Sequence, residues 1–174
     1  MNEKNNFALA RRPSSAVEKA APGAKRILSG MVFDALALAK KEPLARIVVV
    51  NDNPEPMKTM EIFIRYWLKN VTLLLFGNPA EAWQELSQTA PDLLITADAM
   101  PALRGEEIVR RLAERKVAYP IVVMSAWSPT ELWVRNYASR GLNVSFLAMP
   151  FLLEDFRKTL EASLKISLGK SSSK

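Results

Sequence analysis

Five times between Arg46 and Ile166 a short run of β-branched and apolar residues gives way to a stretch with helical spacing, and this alternation constrains the fold more than any other feature. The runs are RIVVV from Arg46, VTLLLF from Val71, DLLITA from Asp92, PIVVMSA from Pro120 and NVSFLA from Asn143. Runs that short and that uniformly apolar suit strands buried on both faces of a parallel sheet. Between and after them lie PMKTMEIFIRYWLKN, AEAWQELSQ, GEEIVRRLAER, PTELWVRNYASR and LEDFRKTLEASLKI. In the first of these, Met57, Met60, Ile64, Trp67 and Leu68 share one helical face, and Asn78 before Pro79 is placed to cap the second. Helices that join parallel strands cross over the sheet and cover both of its faces. The chain therefore reads as α/β, a five-stranded parallel sheet with helices on both faces. Such sheets place their chemistry where the strands end at their carboxyl edge. Here those ends are Asn51-Asp52, Ala97, Ser125-Ala126 and Met149-Pro150.

Composition narrows the function by what is missing. The chain has neither cysteine nor histidine. Disulfides, thiolate metal sites, thiol catalysis, Ser-His-Asp triads and histidine-bound zinc are thereby excluded, which removes most common hydrolase designs. No apolar run approaches the roughly 20 residues of a membrane span, and the N-terminus lacks an apolar core of signal-peptide type, so a soluble, cytoplasmic protein is expected. Charge is uneven. Residues 1–45 hold eight of the 24 Lys and Arg but only four of the 18 Asp and Glu. A basic front can follow phosphates, yet these charges are scattered without interleaved aromatics and read as a solvated appendage rather than a nucleic-acid arm. Residues 1–25 are expected to form a flexible basic lead and 26–42 an amphipathic helix, with Ile27, Met31, Phe33, Ala35 and Leu38 in helical spacing and Leu28, Val32, Leu36 and Ala39 beside them. The main domain is expected over 45–166, with a disordered tail at 167–174.

The stretches IVVVNDNP, PDLLITADAMPALRG, PIVVMSA and NVSFLAMPF, in that order and spacing, resemble the receiver domain of two-component response regulators, in a degenerate form. The resemblance implies a flavodoxin-like (βα)5 sandwich. In that family a histidine kinase donates a phosphoryl group to an aspartate at the end of the third strand. That aspartate holds Mg²⁺ together with an acidic pair after the first strand. A Ser/Thr ending the fourth strand and a Lys before a cis-proline after the fifth contact the phosphoryl group.

Carried onto this chain, the pattern is broken at its centre. Counting six residues from Pro91, or four back from Pro101, reaches Ala97 at the phosphoacceptor position, and Gly105 falls where the family's loop glycine belongs. Asn51 and Asp52 stand at the acidic pair, Met149 at the lysine, Ser125 at the Ser/Thr, Phe146 at the aromatic switch and Pro150 at the cis-proline. Asp98 is one residue late and is expected to be solvated. Asp52 is expected to cap the helix beginning near Pro54 and is the one candidate metal ligand. Mg²⁺ binding is expected to be weak or absent, with no cofactor. As a receiver-like chain it is not expected to be an enzyme. It is thus expected to be a pseudo-receiver, an interaction module for a histidine kinase, a downstream signalling protein or a second copy. Trp133 is the expected exposed anchor, alongside Tyr137, Phe146 and Phe151. The alternatives are a working phosphorelay receiver that uses Asp98 or Asp52, and nucleic-acid binding through the basic N-terminal arm.

Overall fold

The computed structural model describes residues 45–168. The lead at 1–25, the helix expected over 26–42 and most of the expected tail lie outside the described residues. Strands and helices alternate as β1 (Ala45–Val50), α1 (Pro54–Trp67), β2 (Val71–Phe76), α2 (Pro79–Gln88), β3 (Leu93–Ala97), α3 (Gly105–Glu114), β4 (Ile121–Ser125), α4 (Ser128–Ser139), β5 (Val144–Ala148) and α5 (Leu153–Leu164). All strand pairs are parallel and the order across the sheet is β2-β1-β3-β4-β5. The chain builds outward from β1 to β2, then returns to the other side of β1 with β3. The carboxyl ends of β1 and β3 therefore flank the switch point, where open α/β sheets form their crevice.

Alternation along the strands makes two cores. Ile47, Val49, Leu93, Ile95, Val122, Met124 and Leu147 point to one face, where Met60 and Ile64 of α1 and Phe156 and Leu160 of α5 cover them. Val48, Val50, Leu94, Ile121, Val123 and Val144 point to the other, covered by Ala82 and Leu86 of α2, Ile108, Val109 and Leu112 of α3 and Val134 of α4. Each such side chain, fully buried, contributes about 1.5–3 kcal/mol from apolar transfer. The two layers together fix the strand register, because a slip of one residue would exchange the faces.

Helix starts follow local chemistry at α1 and α2. Asn53 and Asn78 accept backbone hydrogen bonds from Glu55 and Ala80 (3.1 and 2.9 Å), each followed by proline at the first helical position. Asp52 is exposed, so the expected cap at α1 belongs to its neighbour Asn53. The packed domain also runs further than the boundary at 166. Leu168 is buried among the α1 and α5 residues. Its N–H donates to Glu161 (2.7 Å) and its carbonyl accepts from Arg157 (3.0 Å). Among the described residues, no helix is long and apolar enough to cross a membrane.

Candidate functional site

At the end of β1, Asn51 is buried and doubly committed. Its N–H donates to the Phe76 carbonyl (3.0 Å), and its side-chain oxygen accepts from the Asn53 N–H (2.9 Å), which shapes the turn into α1. The amide oxygen that could face a ligand is therefore holding backbone. Asp52 beside it projects into solvent.

At the end of β3, Ala97 pairs in register with Met124 of β4 and is buried. Asp98 follows it and is 1% exposed, not solvated as expected. The reason lies in the ladder, which runs one residue past the strand. The Asp98 N–H still donates to the Met124 carbonyl (3.0 Å), which holds the residue against β4, and its side chain lies under α4. Oδ2 lies 2.6 Å from the Thr130 hydroxyl on the first turn of α4. The exposed Arg104 guanidinium stands 3.8 Å from Oδ1, which has no hydrogen-bond partner. Gly105 opens α3 directly against this segment. Its N–H donates to the Asp98 carbonyl (2.9 Å), and a Cβ on it would sit 2.3 Å from the Ala97 oxygen, so only glycine fits.

At the ends of β4 and β5, Ser125 is buried, and its hydroxyl oxygen accepts from the Trp127 N–H (3.0 Å) and lies 3.1 Å from Thr130 Oγ1. The Ser125 carbonyl accepts from the Met149 N–H (2.9 Å), and the Met149-Pro150 bond is cis, as the resemblance implied for Pro150. The Met149 side chain packs against the α1/α5 core. Phe146 is half-buried against the α2–α4 core.

The expected anchor, Trp133, is not an exposed side chain. Thr130 and Val134 form the buried stripe of α4, and Trp133 lies beside it, half-buried and edge-on to Tyr137 at 6.0 Å. Phe151 likewise packs on Phe156, with ring centroids 5.1 Å apart. The large apolar side chains that do reach solvent near these strand ends are Trp127 (57%), Leu132 (70%), Leu152 (72%) and Leu153.

Mg²⁺ takes oxygen ligands in near-octahedral geometry and is fixed by one or two carboxylates with phosphate. The donor set here does not fit it. Asp52 is a lone exposed carboxylate, the Asn51 oxygen is uncharged and already accepts from Asn53, Ala97 has no donor, and Asp98 is turned under α4. Among the described residues, no group of three or more Asp, Glu, His or Cys could hold a metal ion. A cleft of about 620 Å³ lies at the opposite, amino-terminal end of the sheet, lined by Arg110, Lys116, Tyr137, Arg140 and Leu142.

Missing from the sequence-derived site are Thr130, which joins Asp98 to Ser125, and the cap Asn53. A threonine at the third position of a helix that has no polar residue at its cap was the available signal for the former.

Residues 47–161 match the family model of the response regulator receiver domain. The sensor histidine kinase TmoS of Ectopseudomonas mendocina is 29% identical over 71% of this chain and 12% of its own length. The transcriptional regulatory protein PrrA of Mycobacterium leprae is 27% identical over 69% of this chain and 50% of its own. The chain thus spans half or less of the length of these curated relatives. Among solved structures, it is similar to the receiver domain of sensor histidine kinase PA1611 from Pseudomonas aeruginosa PAO1, crystallised with magnesium in its active-site cleft. That likeness has a TM-score of 0.56 and 22% identity, over 70% of this chain and 98% of that one. The chain belongs to the response regulator receiver domain family.

Proposed function

From membership in that family, and from the altered strand ends, we propose that this receiver domain takes no phosphoryl group at the end of β3 and serves two-component signalling as a protein-interaction module. One observation carries the proposal. The acceptor position is held by Ala97, while the adjacent carboxylate, Asp98, is buried and hydrogen-bonded to Thr130. Alanine has no nucleophile, and a carboxylate 1% exposed offers no oxygen to a phosphodonor in solution. Asn51 at the acidic pair and Met149 at the lysine position remove the charges that would hold Mg²⁺ and pair with a phosphoryl oxygen.

The interaction role is supported by Trp127, Leu132, Leu152 and Leu153, which expose large apolar area in the segments that leave the adjacent strands β4 and β5. Exposed apolar groups gathered at one end of a domain mark contact surfaces. The partner class is a histidine kinase, a downstream signalling protein or a second copy of the chain. Nucleic acid is the less favoured partner, because the basic residues of 1–45 are scattered without interleaved aromatics.

The test is thermal melting with Mg²⁺ and beryllofluoride, which mimics a phosphoryl group. A ligand that binds only the folded state at a hundredfold excess over its Kd adds about 2.7 kcal/mol of stability. No shift is expected. A shift of several degrees would show a pocket that accepts the phosphoryl mimic and would refute the proposal.

A further inference from the structure

We infer that Asp98 is an internal clamp on the start of α4, a carboxylate that holds the β4–α4 segment in one arrangement with no phosphoryl group to do so. The inference begins with what α4 lacks. The first N–H groups of any helix have no intrahelical partner, and α1 and α2 meet this need with asparagine caps. At α4 the cap position is Trp127, which makes no side-chain cap bond. α3 and α5 likewise have no side-chain cap, but at α4 a side chain of the first turn is tied to the sheet. Thr130, fully buried in its first turn, reaches a carboxylate 32 positions earlier in the chain.

The bonds have one consistent direction. The Thr130 hydroxyl has a single proton and two neighbours, Asp98 Oδ2 at 2.6 Å and Ser125 Oγ at 3.1 Å. The carboxylate is the stronger acceptor and the contact the shorter, so the proton goes to Asp98. Ser125 then donates its own proton to Thr130 and accepts from the Trp127 N–H at 3.0 Å. The relay runs from the Trp127 backbone through Ser125 and Thr130 to Asp98, every donor satisfied and a negative charge at its end. That charge lies at the amino-terminal turn of α4, the end the helix dipole favours for an anion.

The clamp is itself anchored. Asp98 donates its N–H to Met124 and accepts from Gly105 N–H, so β3, β4 and the start of α3 hold it in place. Arg104 lies over its second oxygen at 3.8 Å. Ser125 is consumed in the relay and is not free to turn toward the Ala97 end of β3. The clamp rests on the proposed function in one respect, that no phosphoryl group competes for Ser125.

Amide hydrogen exchange tests it, measured residue by residue on the whole chain and on Thr130→Val, Thr130→Ser and Asp98→Asn. Thr130→Val keeps the shape and removes the hydroxyl. Loss of a hydrogen bond to a charged group is expected to speed exchange at residues 127–131 by about tenfold or more, while β1 and α5 amides keep their wild-type rates. Thr130→Ser restores the hydroxyl and is expected to stay within about threefold of wild type. Asp98→Asn, a weaker acceptor of the same shape, is expected to fall between them and serves alone if Thr130→Val does not fold. Unchanged exchange at 127–131, or a uniform rise across β1, β3 and α5, would overturn the clamp. The same measurement on the wild type with Mg²⁺ and beryllofluoride separates the two proposals. A response there defeats the phosphoryl-independent function, whereas the variants alone decide the clamp.

Discussion

Asp98 and Trp133 each show how one side chain's direction decides its role. The counts from Pro91 and Pro101 locate Ala97 at the end of β3, and the structure puts it there. Whether the next residue faced solvent depended on one backbone bond, Asp98 N–H to the Met124 carbonyl, that no count along the sequence could reveal. Trp133 is half-buried rather than exposed for a related reason. Helical spacing names the residues near the stripe of Thr130 and Val134 but does not tell the flank from the outer face. Trp133→Ala is accordingly expected to lower stability by about 2–4 kcal/mol in urea denaturation, as a large-to-small change in a packed region does. A neutral result would return Trp133 to the surface. Gly105→Ala is expected to cost about 2 kcal/mol or more, because its Cβ would meet the Ala97 carbonyl oxygen at 2.3 Å, well inside contact distance. Wild-type stability in the same assay would mean that the start of α3 can move away from β3.

Elements were legible where their signals are local. All five strands and all five helices of residues 45–168 lie where the alternation put them, and Asn78 caps α2 as its place before Pro79 indicates. The start of α4 was not legible as a held structure, since its support comes from β3, far away in sequence. Nor was the end of the domain, because Leu168 is held by Arg157 and Glu161 across the last turn of α5. On α3 the charges are paired along one face. Hydrogen bonds from Arg110 and Arg111 hold the Glu107 carboxyl well down, from its ordinary 4.5 to about 2. A lowered acid contributes stability that is present above its unfolded value and is lost as pH falls through the folded one. Glu107→Gln is therefore expected to flatten the fall in stability between about pH 4.5 and 2, by a small amount because the half-buried group is screened by solvent. Denaturation midpoints measured down that range check it, and parallel curves for wild type and variant would contradict the pairing.

At the scale of the molecule, the receiver fold is complete, and the proposal is that its phosphoryl chemistry is not. The sheet order, the two cores and the cis Met149-Pro150 bond are present, whereas Asn51, Ala97 and Met149 stand where the resemblance implies carboxylates and a lysine. Fold could be read from the sequence because hydrophobic periodicity fixes it and hundreds of small contacts agree. The site could be read only as far as its positions are numbered from nearby prolines, since its function turns on the direction of a few side chains. The most direct test is intact mass after incubation with acetyl phosphate and Mg²⁺. The expected result is an unchanged mass, with Ala97 inert and Asp98 enclosed. A gain of one phosphoryl group that maps by proteolysis to Asp98 or Asp52 would contradict the account and make this chain a working phosphoacceptor.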